Sequence, residues 1–216
     1  DDRLHDTHFT NADWVPASIK TCPYPFDVDM RIEAVLDATR QIVDSNDGVL
    51  VQEFLGGDEY VVDTVSRDGV SKCTAIWKYH KEAVNGHTAP LVYFGQKTLV
   101  IEEEENSAEL RAIVDYQKVV IAALGIRNGP AHAEVKIDKG TPCLIEVGAR
   151  CHGAEGCWRG IAKESHGFDQ ITGTCAAYLD EEEFAKIPDV PAKHMKFPRC
   201  VFIVSFQKGV LKEINR

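Results

Sequence analysis

The chain has 216 residues, 44% of them hydrophobic and 27% charged, an ordinary make-up for a soluble globular protein of one domain or two small ones. Its net charge of −10 argues against a nucleic-acid backbone or an anionic membrane as partner, while a metal-bound nucleotide stays compatible. No apolar run approaches the roughly 18 residues needed to span a bilayer, and no charged segment leading into an apolar one opens the chain, so the expected location is cytoplasmic.

Residues 1–29 carry Pro16, Pro23 and Pro25 without sustained periodicity and read as an irregular arm or the remnant of an upstream region. The chain does not begin with Met, which raises the expectation of a processed or excised piece. Met30 to Val43 has apolar residues at helical spacing, with Asp29 as cap and Asn46-Asp47-Gly48 as stop. Gly48–Leu55, Glu59–Ser66 and Val70–Tyr79 read as three strands of an antiparallel meander, joined by turns at Gly56-Gly57-Asp58 and Arg67-Asp68-Gly69.

Lys81 to Leu91 reads as a polar loop around Asn85-Gly86, followed by short strand-like pieces at Val92–Phe94 and Thr98–Ile101. The acidic run Glu102–Glu105 suits a solvated face or the first turn of a helix. Ala108 to Leu124 is the clearest helix, with an apolar stripe at 110, 113, 114, 120, 121 and 124 and a stop at Gly125. Later helices are expected near Trp158–Ser165 and Phe168–Leu179. An acidic connection over Asp180–Pro191 follows, then a closing hairpin of Arg199–Phe206 with Val210–Ile214.

Between these lies Asn128–Arg150, which reads as two strands, Ala131–Ile137 and Cys143–Val147, around the turn Asp138-Lys139-Gly140. Alternation puts His132, Glu134 and Lys136 on one face. Paired as a hairpin, the strands bring Glu134 and Glu146 alongside each other. Two such carboxylates repel unless a cation sits between them. The expectation is a divalent-metal site, Mg²⁺ with Mn²⁺ as alternative, and Arg150 held just beyond it. His132 suits a structural role as well as a catalytic one. Lys78, Lys81 and His87 are candidates to reach phosphates, and Gly153 and Gly156 could let backbone amides approach an anion.

The seven cysteines are odd in number and lack CxxC spacing, so a reducing compartment fits better than a disulfide framework. Cys151, His152 and Cys157 invite a zinc reading, but no second Cys/His pair completes it. Small residues of a tight Gly-rich loop explain them better.

Taken together, VQEFLxGxEYVVD, HAEVKI and LIEVGAR resemble the ATP-grasp superfamily of carboxylate–amine ligases, over roughly residues 30–180 and nearest the amino-acid ligase branch. The resemblance implies an α+β ATP-grasp fold, an antiparallel sheet flanked by helices, over 30–216. It implies that adenine lies along Glu53–Phe54–Leu55, whose backbone reads its edge, and that Glu59 accepts the ribose hydroxyls. Glu134 and Glu146 match the metal-binding acids, and Arg150 an arginine that stabilises the acyl-phosphate and the tetrahedral intermediate. Many members carry Asn two residues after the second acid; here that position is Gly148.

The implied reaction joins a carboxylate, of an amino acid above all, to an amine, with ATP and Mg²⁺ as cofactors, small molecules as partners and a homodimer by analogy. No Gly-rich phosphate loop precedes Glu53, and Lys20 is the sole upstream lysine. The expectation is thus the C-terminal part of a longer ligase, or a degenerate, non-catalytic relative. A metal-dependent hydrolase has less support, because no histidine ligand cluster or nucleophile spacing goes with it.

Overall fold

A computed structural model describes residues 55–84, 92–103, 105, 107–206, 209–210 and 212–213. The chain divides into two compact units, Asp1–Leu55 and Gly56–Arg216. Of the first, only Leu55 is among the described residues, where it is half-buried outside any helix or strand. The arm, the expected helix over Met30–Val43, the expected strand before Leu55, Lys20, Glu53, Phe54, Asn85-Gly86 and His87 lie outside the described residues.

The second unit is built on six strands: β1 (Glu59–Arg67), β2 (Val70–Glu82), β3 (Val92–Leu99), β4 (Gly129–Asp138), β5 (Thr141–Gly148) and β6 (Arg199–Val201). They form one sheet in the order β5-β4-β1-β2-β3-β6, and every neighbouring pair is antiparallel. Among the described residues four α-helices accompany them: α1 (Ser107–Ala123), α2 (Trp158–His166), α3 (Gln170–Leu179) and α4 (Glu181–Lys186). The α+β class and the antiparallel sheet flanked by helices are as the sequence implies.

Alternation sorts the sheet into two faces. Tyr60, Val62, Ile76, Leu99, Ala133 and Val135 bury one face against Leu110, Ile113 and Val114 of α1. Each such aliphatic side chain contributes roughly 1.5–3 kcal/mol relative to exposure. The stripe on α1 runs 110, 113, 114, 117, 121, so buried Gln117 belongs to it, while Leu124 lies past the helix and is exposed. On the opposite face Val61, Ala75 and Trp77 pack against Trp158 and Ala162 of α2, and Val65 packs against Ala177 of α3 and Phe184 of α4.

Four expectations change. β2 continues to Glu82, and Lys81 is a strand residue rather than part of a loop, because its ammonium pairs with Glu59 on β1. Val92 to Leu99 is a single strand. Gly95 lies where β6 comes so close that a Cβ would stand 2.4 Å from the Cys200 carbonyl oxygen. The acidic stretch after Leu179 is a helix. The Asp180 side chain accepts from Glu183 N at 3.0 Å, Glu181–Glu183 complement the dipole, and Phe184 is buried. Lys72 closes its other end by donating to the carbonyls of Phe184, Ala185 and Ile187. Finally, strand structure after Arg199 ends at Val201 and pairs with β3. Among the described residues no partner strand over 210–214 is formed.

Candidate active site

Three irregularities of register fix where the polar side chains of the second face point. A strict hairpin around Lys139 and Gly140, both with positive φ (50° and 81°), pairs Val135 with Leu144. Continued without interruption, it would set Glu134 opposite Ile145 and turn Glu146 toward α1. Instead Ile145 is an extra residue and Glu134 faces Glu146 directly. On β2, Thr74 is the extra residue beside Asp63, and its hydroxyl donates to the Asp63 carbonyl at 3.1 Å. On β3, Phe94 is extra, which pairs Lys81 with Tyr93.

The result is a line of charged groups along one face. Glu59 takes an ion pair from Lys81 and a looser one from Lys136, at 3.9 Å. The Lys81 ammonium also lies over the Tyr93 ring, 4.3 Å from its centroid. Burial alone would lower the pKa of Lys81, but the hydrogen bonds to Glu59 and Tyr93 raise it above the usual lysine value. Two positions along β4 stands Glu134. Burial first, then the negative charge of Glu59, with a further contribution from Glu146, pushes its carboxyl up to about 7. His132 Nε2 lies 4.0 Å from its Oε1.

Beyond Glu134 the line ends in a cluster that the motifs did not reveal. Asp63 is fully buried and accepts from His132 Nδ1 at 2.8 Å, His152 Nδ1 at 2.9 Å and Trp77 Nε1 at 2.7 Å. Burial would push this carboxyl up. The hydrogen bonds from both histidines hold it below the usual carboxylate range. An ionised carboxylate only accepts, so both histidines carry their proton on Nδ1. His152 is fixed from all sides. Its backbone N–H donates to Gln170 Oε1 at 2.8 Å, its ring stacks on Trp158 at 5.4 Å, and the His132 ring is 4.5 Å away. Gln170 in turn donates to the carbonyls of Thr64 and Ala131, at 3.1 and 3.0 Å.

Arg150 follows the end of β5, exposed, with Nη1 donating to the Cys151 carbonyl at 2.9 Å. Its side chain folds over Gly148, where a Cβ would meet Cγ and Nε at 3.2 Å. After Gly153 the backbone takes a left-handed turn through Ala154, Glu155 and Gly156, with φ of 52°, 52° and 76°. Gly156 tolerates this; Ala154 and Glu155 are strained by it.

Of the residues expected at the site, the fold gathers Glu59, Glu134 and Glu146 on one face and leaves Arg150 just beyond it. Leu55 belongs to the other unit. Cys151, His152 and Cys157 do not form a zinc cluster, since His152 turns inward to Asp63. Among the described residues Asp63, His132 and His152 form one group and His132, Glu134 and Glu146 a second. The first is closed by hydrogen bonds. The second is open and rich in carboxylate oxygen, which suits a hard divalent cation. Asp63 was within reach of sequence reasoning, since Glu59, Val61 and Asp63 alternate onto one face. His152 and Gln170 were not, because a turn and a helix end bring them in.

A six-stranded antiparallel sheet with helices on both faces and a line of acids beside a tight hairpin accords with an ATP-grasp domain. The model of that domain matches residues 27–158. The chain belongs to the ATP-grasp family. It is 35% identical over 152 residues to dapdiamide A synthase of Enterobacter agglomerans, a match covering 70% of this chain and 34% of that protein. The L-amino acid ligase of Bacillus licheniformis is 30% identical with a TM-score of 0.54, over 73% of this chain and 38% of that one. Phosphoribosylglycinamide synthetase of Anaerococcus prevotii, 18% identical over 84% of this chain and 44% of that one, shares the fold with a TM-score of 0.55. The chain thus spans about a third of the length of the curated relative it matches. Among the described residues no helix is long and apolar enough to cross a membrane.

Proposed function

We propose that this chain is the nucleotide- and metal-binding part of an ATP-dependent ligase that joins the carboxylate of an amino acid to an amine, releasing ADP and phosphate. The observation that carries this reading is the direct pairing of Glu134 with Glu146, with the Glu134 carboxyl pushed up to about 7. Supporting it are the likenesses to a dapdiamide synthase and an L-amino acid ligase.

In the proposed reaction a substrate carboxylate oxygen attacks the γ-phosphorus of ATP, forming an acyl-phosphate and ADP. An amine then attacks the acyl carbon, the C–O bond to phosphate breaks, and amide, phosphate and a proton leave. Mg²⁺ or Mn²⁺ held by Glu134 and Glu146 would supply charge neutralisation for the transferring phosphoryl group. Glu53, Phe54 and Leu55 would line adenine. Glu59 would accept the ribose hydroxyls while the ion pairs with Lys81 and Lys136 hold its carboxylate in place. Arg150 would donate its planar fork to the acyl-phosphate. No enzyme nucleophile is needed; positioning and charge screening do the chemistry.

Calorimetric titration of ADP into the chain, with and without Mg²⁺, tests the reading. Binding is expected to depend on Mg²⁺ in the wild type and to lose that dependence in Glu146→Gln. Nucleotide binding indifferent to Mg²⁺ in both would refute it. Screening amino acids in pairs for ADP release then identifies the substrates.

A further inference from the structure

Building on the reading of Glu134 and Glu146 as metal ligands, we infer that His132 is a third, nitrogen ligand of the same cation, aimed and held by Asp63. The ring is almost wholly buried, with 3% of its surface exposed, so it has one environment and one orientation. Its Nδ1 is committed to Asp63 at 2.8 Å. A neutral imidazole protonated on Nδ1 presents the lone pair of Nε2. That atom lies 4.0 Å from Glu134 Oε1, too far for a hydrogen bond. Donor atoms of His132, Glu134 and Glu146 lie within 4.8 Å of one another. Ligands bonded at about 2.1 Å to an octahedral cation stand ~3 Å apart when adjacent and ~4.2 Å apart when opposite. The trio therefore needs only small side-chain adjustments to share one ion.

The register explains why a histidine has access. His132 pairs across the strands with Gly148, which offers no side chain of its own. The space above Gly148 is taken by the Arg150 stem, which leaves the neighbouring position over β4 to the imidazole. Asp63 behind it completes a carboxylate–histidine–metal relay of the kind that fixes ring orientation and raises ligand basicity. His152 and Trp77, on the remaining Asp63 contacts, keep that carboxylate from turning away.

A nitrogen in the donor set changes metal preference. Mg²⁺ favours oxygen alone, whereas Mn²⁺ and later divalent metals accept imidazole. The chain is therefore expected to bind Mn²⁺ at this site about tenfold or more tightly than Mg²⁺.

Pulsed EPR of Mn²⁺ and ADP bound to the 216-residue chain decides the matter without any assay of activity. Directly coordinated imidazole gives a ¹⁴N modulation that should change to the ¹⁵N pattern when histidine alone is ¹⁵N-labelled. His132→Asn should abolish the modulation and weaken Mn²⁺ binding by about 10–100-fold. A labelled wild-type chain that binds Mn²⁺ without histidine nitrogen coupling overturns the inference by itself, whatever the variant does. So does a coupling that survives in His132→Asn. In both cases Mn²⁺ binding that still falls in Glu146→Gln leaves the two-carboxylate site standing. Mn²⁺ affinity unchanged by Glu146→Gln overturns the site as well.

Discussion

Glu134 and Glu146 stand directly opposite each other across β4 and β5 because Ile145 is an extra residue in β5. Leu144 and Val147, three residues apart, both reach the α1 face of the sheet, and the bulge between them turns Glu146 to the other side. A carboxylate pair that an unbroken ladder would keep on opposite faces is thereby assembled at the cost of one irregular residue.

The pair is unfavourable without a cation, and Glu134→Gln should show this. In EDTA the folded Glu134 carboxyl, raised to about 7 against an ordinary value of 4.5, binds its proton more tightly than the unfolded chain does. Its contribution to stability is present below pH 4.5 and is lost as pH rises through 7. At pH 8 the glutamine variant should therefore be more stable than wild type, on the order of 1 kcal/mol once solvent screening is allowed for. Urea melts at pH 8 and pH 5 check this, with the gain expected only at pH 8. The same variant should lose Mg²⁺-dependent ADP binding.

Asp63→Asn should be far more damaging. It replaces a buried anion that accepts from His132, His152 and Trp77 with a neutral group that also carries two donors. A loss of about 3 kcal/mol is expected. His152→Phe, which keeps the stack on Trp158, should lose less. Equal losses in chemical denaturation would show that packing, rather than the carboxylate, carries the cluster.

His166 sets an acid limit. Among the described residues its buried ring has no hydrogen-bond partner at either nitrogen, and burial, aided by His194, lowers its pKa from 6.5 to about 4. Below pH 6.5 the unfolded chain takes up a proton that the folded chain refuses. Stability from this group is thus complete above pH 6.5 and falls by up to about 1.4 kcal/mol per unit toward pH 4. His166→Leu should flatten the stability profile between pH 6.5 and 4. An unchanged slope would assign acid sensitivity elsewhere.

The left-handed turn after Gly153 should be improvable. Ala154 and Glu155 both hold φ at 52°. Glycine at either position should raise stability by about 0.5–1 kcal/mol, since the conformation costs glycine nothing. Thermal melts of Ala154→Gly and Glu155→Gly check this, and ADP affinity should be unaffected.

The elements that local pattern controls were legible in the chain. The α1 stripe, the turns at Asp68-Gly69 and Lys139-Gly140, and the helices after Cys157 all rest on interactions within a few residues. Likewise Glu134 and Glu146 could be singled out, because two carboxylates brought alongside each other on a hairpin repel unless a cation sits between them. Long-range pairing decided the rest. A lysine at 81 reads as loop until Glu59 is beside it, and Gly95 reads as a break until β6 presses on it. The three bulges cannot be read from residue types, since they arise where two ladders must keep different hydrophobic faces in register. The sequence by itself thus singled out Glu134 and Glu146 and placed them alongside each other on a hairpin. Only the tertiary structure decided that they meet through a bulge at Ile145 and that His132, steadied by Asp63, stands next to them, because side-chain direction in a sheet depends on register with strands far away along the chain.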